Sequence, residues 1–83
     1  MGHPSVRDLA HTDLSEAFGR ILRTHRVAAG LSQDELAYQA GLTRNYVSLL
    51  ERGQRNPTLN TMFALASALD TTLQALLSEL DKL

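Results

Sequence analysis

Arg44, Asn45 and Ser48 place a guanidinium, a carboxamide and a hydroxyl within five residues, at spacings that put all three on one side of a helix. Groups of this kind can read the polar edges of stacked bases. Arg forms paired hydrogen bonds with guanine O6 and N7, Asn with adenine N6 and N7, and Ser bonds to either. A trio of solvated surface residues would look the same in isolation. The segments around the trio decide between the two readings.

Those segments run from Gln33 to Arg52 and describe two short helices joined by a tight turn. Gly41 falls directly after one helical run and before Leu42 and Thr43, where a positive φ would end the helix and redirect the chain. Thr43 offers a hydroxyl to cap the second helix, and Ser32 with Glu35 three residues later forms a capping box for the first. Leu36 and Ala40 share a face of the first helix, Leu42 plugs the turn, and Val47 and Leu50 share a face of the second. The small Ala37 lies where the two axes must approach most closely. The pattern is that of a helix-turn-helix, whose second helix points its N-terminal residues into the major groove of DNA. Arg44, Asn45 and Ser48 occupy that end.

Eighty-three residues with 43% hydrophobic and 20% charged side chains make one small globular domain. The absence of cysteine excludes a disulfide framework and thiolate metal sites. No apolar run is long enough to span a bilayer, and Met1 to Asp13 lacks the apolar core of a secretory signal. A cytoplasmic protein, associated with the nucleoid through DNA, is the expectation. The net charge of −1 is unusual for a nucleic-acid binder, but the charge is segregated. Between Arg20 and Arg55 six arginines face three acids, Asp34, Glu35 and Glu51, while both outer segments are net acidic.

Taken in order, residues 1 to 13 lack periodicity and are expected to form a flexible arm, with Arg7 a candidate for a minor-groove contact. Residues 14 to 83 are expected to form the domain. Leu14, Phe18, Ile21, Leu22 and His25 recur at helical steps, giving a first helix over about 15 to 29 that ends at Gly30. His25 reads as a packing residue, since no partner set for a metal surrounds it. Helices over about 33 to 40 and 44 to 52 follow, the latter ended by Gly53. The polar stretch Gln54 to Thr58 contains Pro57, which blocks helix continuation. Thr58 then caps a fourth helix carrying Leu59, Met62, Leu65, Ala66 and Leu69, and Thr72 a fifth carrying Leu73, Leu76, Leu77 and Leu80. Five helices and no strand predict an all-α domain. The apolar surplus of Phe63, Leu73, Leu76, Leu77 and Leu80 on the last two helices predicts a homodimer interface.

Arg26, Gly30-Leu31-Ser32-Gln33, Glu35-Leu36-Ala37, Gly41-Leu42, Val47-Ser48, Leu50-Glu51-Arg52-Gly53 and Asn56-Pro57-Thr58-Leu59 together resemble the lambda-repressor-like, Xre-type helix-turn-helix family over about residues 18 to 77. Within it, Arg44 to Ser48 followed by Glu51 to Pro57 look most like the controller proteins of restriction-modification systems. The resemblance implies a compact five-helix DNA-binding domain with base contacts from Arg44, Asn45 and Ser48. It implies backbone contacts from Gln33, Tyr46, Arg52, Arg55 and Asn56, and an ion pair between Arg26 and Glu51. Asp70-Thr71 stands where the family commonly has Gly and an aliphatic residue.

The function expected is therefore a dimeric, sequence-specific transcriptional regulator on a pseudo-palindromic operator of double-stranded DNA, with half-sites roughly 34 Å apart. An autoregulatory controller, a phage-type repressor and a toxin-antitoxin antitoxin all fit this description. A protein-binding module on the same fold is the alternative from another class. No paired carboxylates, nucleophile set or phosphate loop supports an enzyme, and no cofactor, metal, membrane or small-molecule effector is expected.

Overall fold

The computed structural model describes residues 11 to 82. They form α1 (His11–Ala28), α2 (Gln33–Ala40), α3 (Arg44–Glu51), α4 (Leu59–Ala68) and α5 (Leu73–Ser78), followed by a 3-10 turn, Glu79–Lys82. The first helix begins four residues before the expected Ser15, so residues 11 to 13, assigned to the arm from sequence, belong to it. The rest of the arm, including Arg7, lies outside the described residues.

Four helix starts use the capping residues read from the sequence. Ser32, Thr43, Thr58 and Thr72 each accept a hydrogen bond from the backbone N–H three residues on. At α2 the box is reciprocal, Glu35 accepting from the Ser32 N–H at 2.9 Å while Ser32 Oγ accepts from the Glu35 N–H at 3.0 Å. These bonds to Ser32 hold the Glu35 carboxyl below its ordinary pKa, the backbone N–H contributing most.

The ends of α2 and α4 share one closure. After α2 the Leu42 N–H bonds to the Ala37 carbonyl at 2.8 Å and the Gly41 N–H to the Tyr38 carbonyl at 3.3 Å, a Schellman closure with Gly41 at φ +72°. The same pair of bonds closes α4, from Thr71 to Ala66 and from Asp70 to Ser67, but here the left-handed residue is Asp70, at φ 57°. An L-residue in this region costs about 1–2 kcal/mol, less for Asp than for most. Asp70→Gly should therefore stabilise the domain by about 0.5 kcal/mol after the greater freedom of the unfolded glycine is subtracted. The expected readout is a rise in Tm of about 2–4 °C. An unchanged or lower Tm would show that Asp70 gains from its surroundings what its backbone loses.

The main core gathers Phe18 and Leu22 from α1, Leu36 and Ala37 from α2, Val47 and Leu50 from α3, and Leu65 and Leu69 from α4 and its end, with Ala40 and Leu42 packed at its margin. All five residues expected between the two central helices are thus on that side. A second cluster joins Ile21, Ala66 and Leu76, flanked by Leu73 and Leu80. It seats α5 on α1 and α4.

Leu76 is 0% exposed, which corrects its assignment to a homodimer interface: the α5 face that carries it is turned into this cluster. Leu73 and Leu80 pack on the same cluster and Leu77 on the main one, all half-buried. Leu77 and Leu80, with Leu14, Phe18, Pro57 and Met62, line an apolar groove of about 300 Å³. Phe63 alone of the five expected interface residues is well exposed, at 66%, and Leu59, one turn earlier on α4, matches it at 67%.

Candidate nucleic-acid interface

The position of α3 is set by one carboxylate. Glu51, whose side chain is 2% exposed, receives Arg26 Nε at 2.6 Å and Arg26 Nη2 at 3.1 Å from α1, and Gln33 Nε2 at 3.0 Å from the first turn of α2. The remaining fork of Arg26 donates from Nη1 to the Leu31 carbonyl at 2.8 Å, tying down the corner between α1 and α2. The bidentate fit is the strong geometry for this pair. Bonding to Glu51 raises the Arg26 pKa above its ordinary value, against the opposing effect of burial. The ion pair implied by the family resemblance is therefore present, its carboxylate buried and its guanidinium partly so, and Gln33 joins it.

Val47, Leu50 and Glu51 are turned inward, and the opposite side of α3 faces away from the core. Arg44 and Asn45 are exposed and Ser48 is half-exposed, all on that side. Arg44 Nε lies 3.9 Å from Asp34 Oδ1, both side chains being largely in water, a contact too long and too solvated to hold the guanidinium in place. Thr43 Oγ1 accepts from the Tyr46 N–H at 3.1 Å, fixing the start of the helix beneath these side chains.

The residues expected on the DNA backbone divide into two groups. Arg52 and Arg55 are exposed just past α3, Arg52 Nε also bonding to the Ser48 carbonyl at 3.3 Å. Gln33, Tyr46 and Asn56 each have a structural partner as well. Gln33 bonds to Glu51, Tyr46 packs at the edge of the main core, and the Asn56 side-chain carbonyl accepts from Ser15 Oγ of α1. The last bond pins the loop after α3 to the first helix. His25 does not simply pack: its Nε2 meets Glu79 Oε2 at 2.5 Å, joining α1 to the final 3-10 turn. Neither tie has a local sequence signal, since the partners are 41 and 54 residues apart.

Residues 22–76 match the model of a helix-turn-helix family. The chain belongs to that helix-turn-helix family. As a member, it is a DNA-binding transcriptional regulator, with α2 and α3 as the motif. The chain is 39% identical over 71 residues to control protein C.SmaI of Serratia marcescens, a match that covers 86% of this chain and 84% of that protein. It is 34% identical over 62 residues to the regulator SinR of Bacillus subtilis, covering 74% of this chain and 56% of SinR. Among solved structures, the restriction-modification controller protein C.AhdI from Aeromonas hydrophila superposes with a TM-score of 0.75 at 47% identity, covering 77% of this helix-turn-helix protein and 97% of C.AhdI. Among the described residues no helix is long and apolar enough to cross a membrane.

Proposed function

We propose that this protein is a homodimeric controller of the restriction-modification type, which binds a pseudo-palindromic operator and regulates its own promoter as it accumulates. The observation that carries the reading is the solvent-facing trio of exposed Arg44 and Asn45 and half-exposed Ser48 on a helix whose other side is locked by Glu51. A base-reading helix needs that combination of free side chains and fixed axis. The high coverage of both C.SmaI and C.AhdI supports the controller class. Leu59 and Phe63, exposed one turn apart on α4, supply the apolar centre of the dimer face, with Leu73 at its edge beside Phe63. We assign the protein no catalytic role, no effector and a cytoplasmic location.

Selection of bound sequences from random duplex DNA tests this reading. A short inverted repeat with half-sites roughly 34 Å apart is the expected product. An asymmetric motif would remove the dimer, and no enrichment at low salt would remove the DNA-binding role.

On the recovered operator, Arg44→Ala should cost about 1–3 kcal/mol and relax preference at one base pair, whereas Arg55→Ala should weaken all sequences alike and flatten the salt dependence. Binding titrations on the operator and on single-base variants separate the two. If both substitutions weaken every duplex equally, Arg44 does not read a base.

A further inference from the structure

The exposed line of α1 carries Glu16, Arg20, Arg23 and Val27, spaced so that they follow one another along a single strip of the helix. Two close approaches fix where this strip lies. A Cβ on Gly19 would stand 2.4 Å from the Leu50 carbonyl oxygen, and a Cβ on Gly53 would stand 2.8 Å from Cα of Glu16. The α1 backbone therefore runs directly against the last turn of α3 and the residues that follow it. Arg26, one turn beyond Arg23, reaches Glu51 at the end of that same helix. Arg20 and Arg23 thus flank the corner from which Arg52 and Arg55 project.

The charges at this corner are not equivalent. Arg26 is neutralised by Glu51, whereas Arg20 and Arg23 enter no ion pair among the described residues. Both are exposed. Glu16 shares the strip but forms no ion pair with Arg20 among the described residues, and Asp70, Glu79 and Asp81 belong to the C-terminal third of the chain, with Glu79 held by His25 on another side of α1. Unpaired guanidinium groups beside a groove-reading helix match the chemistry of a phosphate backbone, which accepts from Arg through paired bonds.

We propose that Arg20 and Arg23 form a phosphate-binding strip on α1, which extends the contact with DNA past the helix-turn-helix and its following loop. The inference rests on the DNA-binding reading above and adds to it a contact surface from a different helix. Each phosphate neutralised contributes about 0.9 to the slope of log K against log salt.

The test measures binding of the full chain to its selected operator by fluorescence anisotropy across about 50–200 mM salt, for the unaltered protein, Arg20→Gln/Arg23→Gln and Arg20→Lys/Arg23→Lys. Circular dichroism accompanies each to confirm that the fold is kept. The glutamine pair should lose up to about 1.8 of slope per half-site, and the lysine pair should restore most of it. Unchanged slope and affinity in the glutamine pair, with the unaltered protein binding normally, would overturn the strip and leave the DNA-binding reading intact. A loss of affinity that lysine does not restore would also overturn it, by showing that charge is not what the arginines supply. Failure of the unaltered protein to bind any duplex would overturn both.

Discussion

Arg26→Ala is expected to lower the unfolding free energy by about 3–5 kcal/mol, because it leaves the Glu51 carboxylate buried without its cation. Gln33 would remain as a donor at 3.0 Å, but one amide bond does not offset the charge. The Leu31 carbonyl would lose its partner as well. Against a total stability of order 5–15 kcal/mol for a natural domain, this change brings the protein close to its threshold. Urea denaturation followed by circular dichroism reads the loss directly. The double variant Arg26→Met/Glu51→Leu removes both charges and should be more stable than Arg26→Ala alone. A small loss in the single variant, with no recovery in the double, would show that the pair is solvated and does not hold α3.

The second large effect is expected at Gly53, by comparison with Gly41. The two have nearly the same backbone, φ +73° and +72°, so alanine should cost each about 1–2 kcal/mol for the left-handed conformation. Their surroundings differ. An added Cβ at Gly41 meets nothing within 4 Å, whereas at Gly53 it meets Cα and Cγ of Glu16, both at 2.8 Å. Pushing α1 away from α3 should add about 1–3 kcal/mol at Gly53 only. Thermal melts of the two variants give the difference, and equal losses would mean that α1 moves aside freely.

Much of this architecture is legible in the sequence because its signals are local. Ser32, Thr43, Thr58 and Thr72 each cap a helix by bonding within their own turn, and Gly41 marks a chain reversal by its own φ. Leu36, Val47 and Leu50 follow from helical period alone. What escapes is set by contacts between distant segments. Period places Leu76 on an apolar face of α5, but only the docking of α5 on Ile21 and Ala66 decides that the face is internal. Sequence places Phe63 in the apolar surplus, but Leu59, read as part of the inward face of α4, is as exposed as Phe63 because of how that helix docks. At the candidate site, the trio on α3 is readable from residue type and spacing, and the Arg26–Glu51 pair came with the family pattern. The entry of Gln33 into that pair, and the bond from Ser15 to Asn56, depend on side chains meeting across the folded chain.

One consequence of the Glu51 clamp concerns how such a protein can change. Packing of Val47 and Leu50, the hydrogen bonds to Glu51 and the Thr43 cap hold α3, while among the described residues the side chains of Arg44, Asn45 and Ser48 make no polar contact closer than the solvated 3.9 Å approach of Arg44 to Asp34. Anchorage and recognition are thus assigned to separate residues of one eight-residue helix. A library randomised at 44, 45 and 48 could therefore be screened for new operators on an unaltered scaffold, and a natural lineage could drift from one operator to another without first becoming unstable.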